Sequence, residues 1–113
     1  MYYGKEVRIF LKGQAMEGYL ELRRRTDKEA QIILNSFERI KEILKENPQY
    51  GDPIAKKLIP KTLQNLGIQN LYRVELSNYW RMLYTIEGNK VEIILFVLSI
   101  VDHKEYNRLF GYK

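Results

Sequence analysis

The sequence predicts an α+β domain with the element order β-α-α-β-β-β-α. We expect a small, antiparallel-rich sheet of about four strands, two N-terminal helices packed on one face, and a short C-terminal helix. Three observations lead to this expectation: an opening stretch of alternating apolar residues, two stretches of helical periodicity, and three strand-like runs in the second half. With 113 residues, 45% of them hydrophobic, the chain is expected to form a single domain over residues 1–113.

The first strand and the two long helices follow from the spacing of apolar residues. In residues 7–11 they occupy every second position, as in a strand with one buried face. Residues 15–25 have helical spacing, although Gly18 lowers the helix propensity of this stretch. Residues 30–44 have the i, i+3, i+4, i+7 spacing of an amphipathic helix, which makes this helix the most strongly indicated element.

The boundaries of the second helix are marked by local signals. Thr26 and Glu29 have the spacing of a capping box, so we expect Thr26 to cap this helix. Pro48 is expected to end it. The segment 47–70 that follows contains all three prolines of the chain and is long for a connection within a compact domain. A short helical turn is expected after Pro60.

Three strand-like runs occupy residues 71–76, 79–86 and 91–101. Residues 77–78 are few enough for a two-residue hairpin turn, and residues 87–90 form a second turn. The last run is almost entirely apolar, which is typical of a strand at the centre of a covered sheet.

A two-residue turn has a consequence for the two arginines in these strands. It places Val74 opposite Arg81 and Arg73 opposite Met82. Because side chains alternate between the faces of a sheet, we expect Arg81 on one face and Arg73 on the other, together with Glu75.

The last strand is followed directly by a group of polar residues. Asp102 can cap a short helix, since Glu105 follows three residues later, and Gly111 is suited to end that helix. His103, the single histidine of the chain, is expected near the start of this helix, and Tyr106 lies one turn further on.

The composition excludes several kinds of site. The chain has no cysteine, which excludes disulfides and thiolate metal sites, and one histidine leaves little material for a transition-metal centre. We therefore expect no metal and no cofactor. No apolar run reaches the ~18 residues of a membrane span, and the N-terminus lacks a signal-peptide pattern, so we expect a cytoplasmic protein without a membrane partner. No P-loop, dinucleotide-binding or nucleophile-elbow motif is present.

The net charge of +5 predicts attraction to polyanions such as nucleic acid. The excess is concentrated between residues 54 and 81, where five basic residues accompany one acidic residue, Glu75. The five are Lys56, Lys57, Lys61, Arg73 and Arg81.

Two pairs of residues are candidates for chemistry, and each pair has a structural alternative. Arg73 and Arg81 can hold a phosphate with two-pronged hydrogen bonds and stabilise its transition-state charge, or they can form ion pairs with acids such as Glu75. His103 and Tyr106 can transfer protons, or His103 can end the strand while Tyr106 covers the core. One histidine excludes acid–base catalysis by two histidines, and no acidic cluster suggests a two-metal nuclease.

From Leu71 to Tyr106 the sequence reads LYRVELSNYWRMLYTIEGNKVEIILFVLSIVDHKEY. This segment resembles the RelE/ParE superfamily of small toxins from prokaryotic toxin–antitoxin pairs, and the pieces WRMLY and DHKEY are the most telling. Members of this family carry one strand and two helices ahead of the segment. The resemblance therefore covers nearly the whole chain and implies the same fold.

The resemblance implies a metal-free endoribonuclease that cleaves mRNA in the ribosomal A site by attack of an RNA 2′-hydroxyl on the neighbouring phosphate. Arg81 matches the phosphate-stabilising arginine of the family, and His103 and Tyr106 match positions that supply the general acid. Glu75 is a candidate general base. The residues expected to bind RNA are Arg73, Lys104, Lys56, Lys57 and Lys61.

The resemblance also implies partners. These are the ribosome, mRNA and an acidic antitoxin that lays an apolar helix or strand over the basic, tyrosine-rich surface. Oligomers would form through the antitoxin, and the chain alone would be a monomer or a weak dimer. Two alternatives stay open: a ParE-type toxin that inhibits a topoisomerase by binding, and a detoxified basic interaction module. The chain departs from the family pattern at Glu75, at Tyr106, which follows the histidine early, and in the long segment 47–70.

Overall fold

The computed structural model describes residues 1–112, and its α+β fold confirms the predicted class. Five segments of this part of the chain form strands: β1 (Glu6–Leu11), β2 (Asp52–Pro53), β3 (Tyr72–Glu75), β4 (Arg81–Gly88) and β5 (Glu92–Val101). Four segments form α-helices: α1 (Gln14–Arg24), α2 (Lys28–Glu46), α3 (Lys61–Gln64) and α4 (His103–Phe110). No helix among residues 1–112 has the length and apolar character needed to cross a membrane.

One sheet contains the five strands in the order β1-β5-β4-β3-β2. β1 is parallel to β5, and the other neighbours are antiparallel. The strand that we did not expect is β2, whose residues Asp52 and Pro53 pair with Arg73 and Tyr72. Two residues, one of them a proline, have no readable periodicity, so the strand could not be found in the sequence.

α1 and α2 cover one side of the sheet, here called the first face, and enclose the larger apolar core. Buried residues of this core include Leu22, Ile33, Met82, Leu95 and Ile100. The approach of α1 to β5 is close, because a Cβ atom at Gly18 would lie 2.7 Å from the carbonyl oxygen of Ile100. The glycine that lowers helix propensity therefore permits this packing.

The start of α2 differs from the expectation. The side chain of Asp27, not that of Thr26, caps the helix by accepting a hydrogen bond of 3.3 Å from the N–H of Ala30. Arg25 donates from Nε and Nη2 to the two carboxylate oxygens of Asp27, and this contact lowers the pKa of Asp27 to about 2. The expected cap by Thr26 is wrong because a carboxylate one residue later fills the same role.

The opposite side, here called the second face, is covered in part by segment 54–71 and by α4. Its smaller apolar cluster comprises Ile59, Leu63, Leu71, Leu83, Val101 and Tyr106. Within segment 54–71, α3 confirms the helical turn expected after Pro60.

Tyr84 fastens the start of the long connection to the sheet. Its hydroxyl donates to the carbonyl of Pro48 at 2.7 Å and accepts from the N–H of Gly51 at 3.0 Å. Burial raises the pKa of Tyr84 to about 12.

Candidate functional site

The register of β3 and β4 places the two arginines on the same side of the sheet. Arg73 pairs with Leu83, and Glu75 pairs with Arg81. Residues that pair directly point to the same face, so all four side chains lie on the second face. The expected separation of Arg73 and Arg81 onto opposite faces is wrong, because the turn has three residues, 77–79, and the pairing shifts by one position.

This turn is held by hydrogen bonds and contains unusual backbone angles. The N–H of Leu76 donates to the carbonyl of Trp80 at 2.8 Å, and the N–H of Trp80 donates to the carbonyl of Ser77 at 3.2 Å. Asn78 and Tyr79 have φ angles of 56° and 61°. A left-handed conformation costs most non-glycine residues about 1–2 kcal/mol, and asparagine tolerates it better than tyrosine.

A buried serine on α2 anchors the turn from the first face. The Ser36 hydroxyl accepts a hydrogen bond of 3.1 Å from the N–H of Ser77 and donates one of 3.0 Å to the carbonyl of Ile33. The turn is thereby tied to the larger core, while the Tyr79 side chain is directed into solvent, with 75% of its surface exposed.

Arg81 is the first residue of β4 and pairs with Val101, the last residue of β5, which brings it next to α4. Its Cζ atom lies 5.3 Å from the ring centroid of Tyr106, a cation–π contact. Its Nη1 donates to the carbonyl of Tyr79 at 2.8 Å, and its Nη2 lies 3.8 Å from Oε1 of Glu75. The side chain is 18% exposed, so the guanidinium is largely embedded but still reaches the surface.

Arg73 lies on the same face of the sheet, on the neighbouring strand β3. The phenol of Tyr106, ahead of the carboxylate of Asp52, raises the pKa of Arg73. Its Nη2 lies 3.4 Å from Oδ2 of Asp52. We call Arg73, Arg81 and Tyr106 the arginine site.

The Nε atoms of Arg73 and Arg81 are buried and have no hydrogen-bond partner among residues 1–112. A guanidinium has five N–H donors, and a partly buried one that leaves donors unused is costly unless an anion joins it.

α4 places the two predicted proton donors in different surroundings. Asp102 caps this helix by accepting a hydrogen bond of 2.9 Å from the N–H of Glu105, as expected, and Gly111, with φ 75°, ends it. His103 is exposed, and its ring centroid lies 6.3 Å from that of Tyr79. Tyr106 is only 4% exposed and belongs to the apolar cluster of the second face.

The predicted lysines are spread over the surface. Lys104 is exposed and follows His103 in the first turn of α4. Lys56 and Lys57 lie on a short turn and line a hollow that neither arginine lines, and Lys61 begins α3. Arg81, His103 and Lys104 therefore lie near the end of β5, Arg73 lies two strands away on the same face, and the other lysines form a separate part of the basic surface.

Two neighbours of the arginines were absent from the sequence-based expectations. Asp52 lies in the strand that periodicity could not reveal, and Tyr79 was expected within a regular strand. The position of Tyr79, directly after the predicted turn residues Ser77-Asn78, was the feature of the sequence that could have indicated an exposed aromatic side chain there. In the described part of the chain, no group of three or more histidine, aspartate or glutamate side chains is arranged to hold a metal ion.

Fold and site together define a small basic α+β protein with paired arginines and an exposed histidine at one end of its sheet. The sequence matches no protein-family model and no curated protein. Its structure is similar to that of a YoeB/ParE toxin from Agrobacterium tumefaciens, with a TM-score of 0.59, 16% sequence identity, and coverage of 85% of this chain and 98% of that one. The chain thus has a RelE/ParE-type toxin fold, as the sequence resemblance implied.

Proposed function

We propose that this protein is the toxin of a toxin–antitoxin pair and acts as a ribosome-dependent endoribonuclease on mRNA. The observation that carries the proposal is that Arg73 and Arg81 lie on one face of the sheet, with Arg81 packed against Tyr106 of α4, the helix that His103 begins. Guanidinium groups held on strands suit the recognition of a phosphate in a chosen orientation.

The proposed reaction needs no metal ion. The RNA 2′-oxygen bonds to the adjacent phosphorus as its proton leaves, and the bond from phosphorus to the 5′-oxygen breaks as that oxygen gains a proton. The products are a 2′,3′-cyclic phosphate and a 5′-hydroxyl. Negative charge accumulates on the phosphoryl oxygens in the transition state, and positive groups already in place stabilise it without reorganising.

In this reaction Arg81 holds the scissile phosphate, and Arg73 holds the same or the neighbouring one. Both arginines have carboxylate neighbours, but Asp52 and Glu75 are 75% and 64% exposed. Exposed ion pairs contribute about 0–1 kcal/mol, so an RNA phosphate can replace these carboxylates at little cost.

His103 is the proposed general acid, because its exposed imidazole can donate a proton to the leaving 5′-oxygen. Glu75, beside Arg81, is the proposed general base. The burial of Tyr106 favours a positioning role in which its ring holds Arg81, rather than direct proton transfer.

The remaining basic residues extend this proposal to partners. Lys104 would contact RNA next to the site, and Lys56, Lys57 and Lys61 would contact ribosomal RNA through the charge that they add to the surface. An acidic antitoxin would cover the same surface, and the protein would act in the cytoplasm as a monomer or weak dimer when free.

A ParE-type toxin that inhibits a topoisomerase by binding is the second candidate. The observation in its favour is that each arginine already has a carboxylate beside it, Asp52 for Arg73 and Glu75 for Arg81. In that case the paired charges would serve a protein interface rather than a phosphate.

Cleavage of a defined mRNA on programmed ribosomes separates the two candidates. We expect cuts within the A-site codon by the wild-type protein, and none by Arg81→Ala or His103→Ala. Arg8→Ala is the matched control, because Arg8 is also borne by a strand, pairs with a carboxylate at 3.7 Å, and lies towards the other end of β5. If the folded wild-type protein leaves the mRNA intact but blocks DNA supercoiling by a topoisomerase, the binding-only function replaces the ribonuclease.

A further inference from the structure

We propose that Tyr79 is a stacking platform for an unpaired RNA base beside the scissile phosphate. This inference rests on the proposed ribonuclease function and specifies how that site holds its substrate. Tyrosine is suited to the task because every nucleobase has a π-face that an aromatic ring can cover, whatever the sequence.

The first argument is exposure. Three quarters of the Tyr79 surface is open to solvent, and the structure records one aromatic contact for its ring within residues 1–112, an edge-type contact with His103 at an interplanar angle of 72°. A tyrosine that packs so little gains almost nothing from burial. The exposed ring of Tyr79 lies beside His103, the proposed general acid.

The second argument is fixation. The carbonyl groups of Trp80 and Ser77 accept the hydrogen bonds that close the turn, and Ser36 holds it from the first face. Tyr79 keeps a φ angle of 61° within this frame, a conformation that tyrosine rarely adopts. Strained backbone persists where the surrounding structure imposes it, and such residues cluster at functional sites.

The third argument is the link to the phosphate-binding arginine. The carbonyl oxygen of Tyr79 accepts the hydrogen bond of 2.8 Å from Nη1 of Arg81. The residue that would hold the base thus also orients the guanidinium that would hold the phosphate. A base and its phosphate are covalently linked, so one strained turn can set the position of both.

The test compares three substitutions in the ribosome assay. Tyr79→Phe keeps the ring, and Tyr79→Leu keeps an apolar side chain without a π-face. Tyr79→Gly suits the left-handed backbone, so this variant should have the thermal midpoint of the wild type. Tyr3→Leu is the matched control, because Tyr3 is 88% exposed, has a φ angle of 49°, and lies near the opposite end of β5.

We expect the control Tyr3→Leu to cleave like the wild type, and Tyr79→Phe to retain most of the activity because it keeps the ring. Tyr79→Leu and Tyr79→Gly should lose about tenfold in kcat/KM, mainly through KM, as expected for the loss of one stacked base. An mRNA with an abasic residue at one position next to the cut should slow the wild type by a similar factor and leave Tyr79→Leu without a further loss.

Three results would overturn the inference. If the wild type cleaves and Tyr79→Leu cleaves equally well, or if the abasic residue slows both proteins alike, Tyr79 stacks no base although the ribonuclease function stands. If the folded wild type cleaves nothing, the proposed function itself fails, and the stacking role fails with it.

Discussion

The two faces of the sheet are built in opposite ways, although residues alternate between them along the same strands. The first face is closed by α1 and α2 over apolar residues, and Met82 on this face is fully buried. The second face is covered by a long connection and α4, and it leaves Arg81, the neighbour of Met82 in the chain, in contact with the surface. Adjacent residues of β4 therefore have opposite roles: Met82 packs in the apolar core of the first face, and Arg81 carries a charge on the second face.

Two polar side chains connect the faces. Ser36 reaches from α2 to the turn that carries Tyr79, and Tyr84 reaches from β4 to the connection that leads into β2 and Asp52. Both side chains are buried, so the loss of either hydroxyl leaves backbone groups without their partner. This contrast separates residues that should affect cleavage, residues that should affect stability, and residues that should affect both.

The largest effect is expected at Arg81. Arg81→Ala should lower the single-turnover cleavage rate about a thousandfold, or about 4 kcal/mol, because it removes a charge aimed at the transition state. The thermal midpoint should change little. Arg81→Lys should also be impaired, because an ammonium lacks the planar fork. A lysine variant with wild-type rates would show that charge alone is sufficient.

Met82 provides the reciprocal case on the first face. Met82→Ala should lower the free energy of unfolding by about 3 kcal/mol, since it leaves a cavity in a fully packed core. The protein that remains folded should cleave at the wild-type rate. Urea denaturation measures the first quantity, and cleavage normalised to folded protein measures the second. A stable but inactive variant would contradict the separation of the faces.

Tyr84→Phe should cost about 2 kcal/mol, because Pro48 loses its donor and the buried N–H of Gly51 loses its acceptor. The substitution should also change how the free energy of unfolding depends on pH. The pKa of Tyr84 is raised to about 12, whereas a tyrosine in the unfolded chain titrates near 10.

In the window between these values the folded state holds a proton that the unfolded state releases, so stability falls as pH rises. The contribution of the protonated Tyr84 hydroxyl to the free energy of unfolding is complete below pH ~10 and is lost as pH approaches ~12. Stability measured across this window should decline more steeply for the wild type than for Tyr84→Phe. Parallel declines would mean that the hydroxyl titrates normally.

The smallest effect is expected at Ser36. Ser36→Ala should lower stability by about 1 kcal/mol, because the N–H of Ser77 loses its acceptor. The turn would then be less firmly placed, so cleavage should fall several-fold. The double variant Tyr79→Leu/Ser36→Ala should lose less than the product of the two single losses. Additive losses in the double variant would show that Ser36 does not act through Tyr79.

Much of the fold was readable from local patterns. The alternation in β1, the periodicity of α2, the apolar run of β5, and the cap and stop of α4 at Asp102 and Gly111 each depend on residues close together in the chain. Chemical type also identified arginine and histidine as the residues suited to phosphate chemistry. These properties are local, so the sequence by itself determined them.

The juxtaposition of those residues was decided by the tertiary structure. A turn of three residues instead of two moved Arg73 to the face of Arg81, and a two-residue strand brought Asp52 beside it. Packing of α4 buried Tyr106 against Arg81 and left His103 exposed. Strand register has a period of two, so a change of one residue in a turn reverses every side chain, and neither turn length nor helix docking is encoded in any short stretch of sequence.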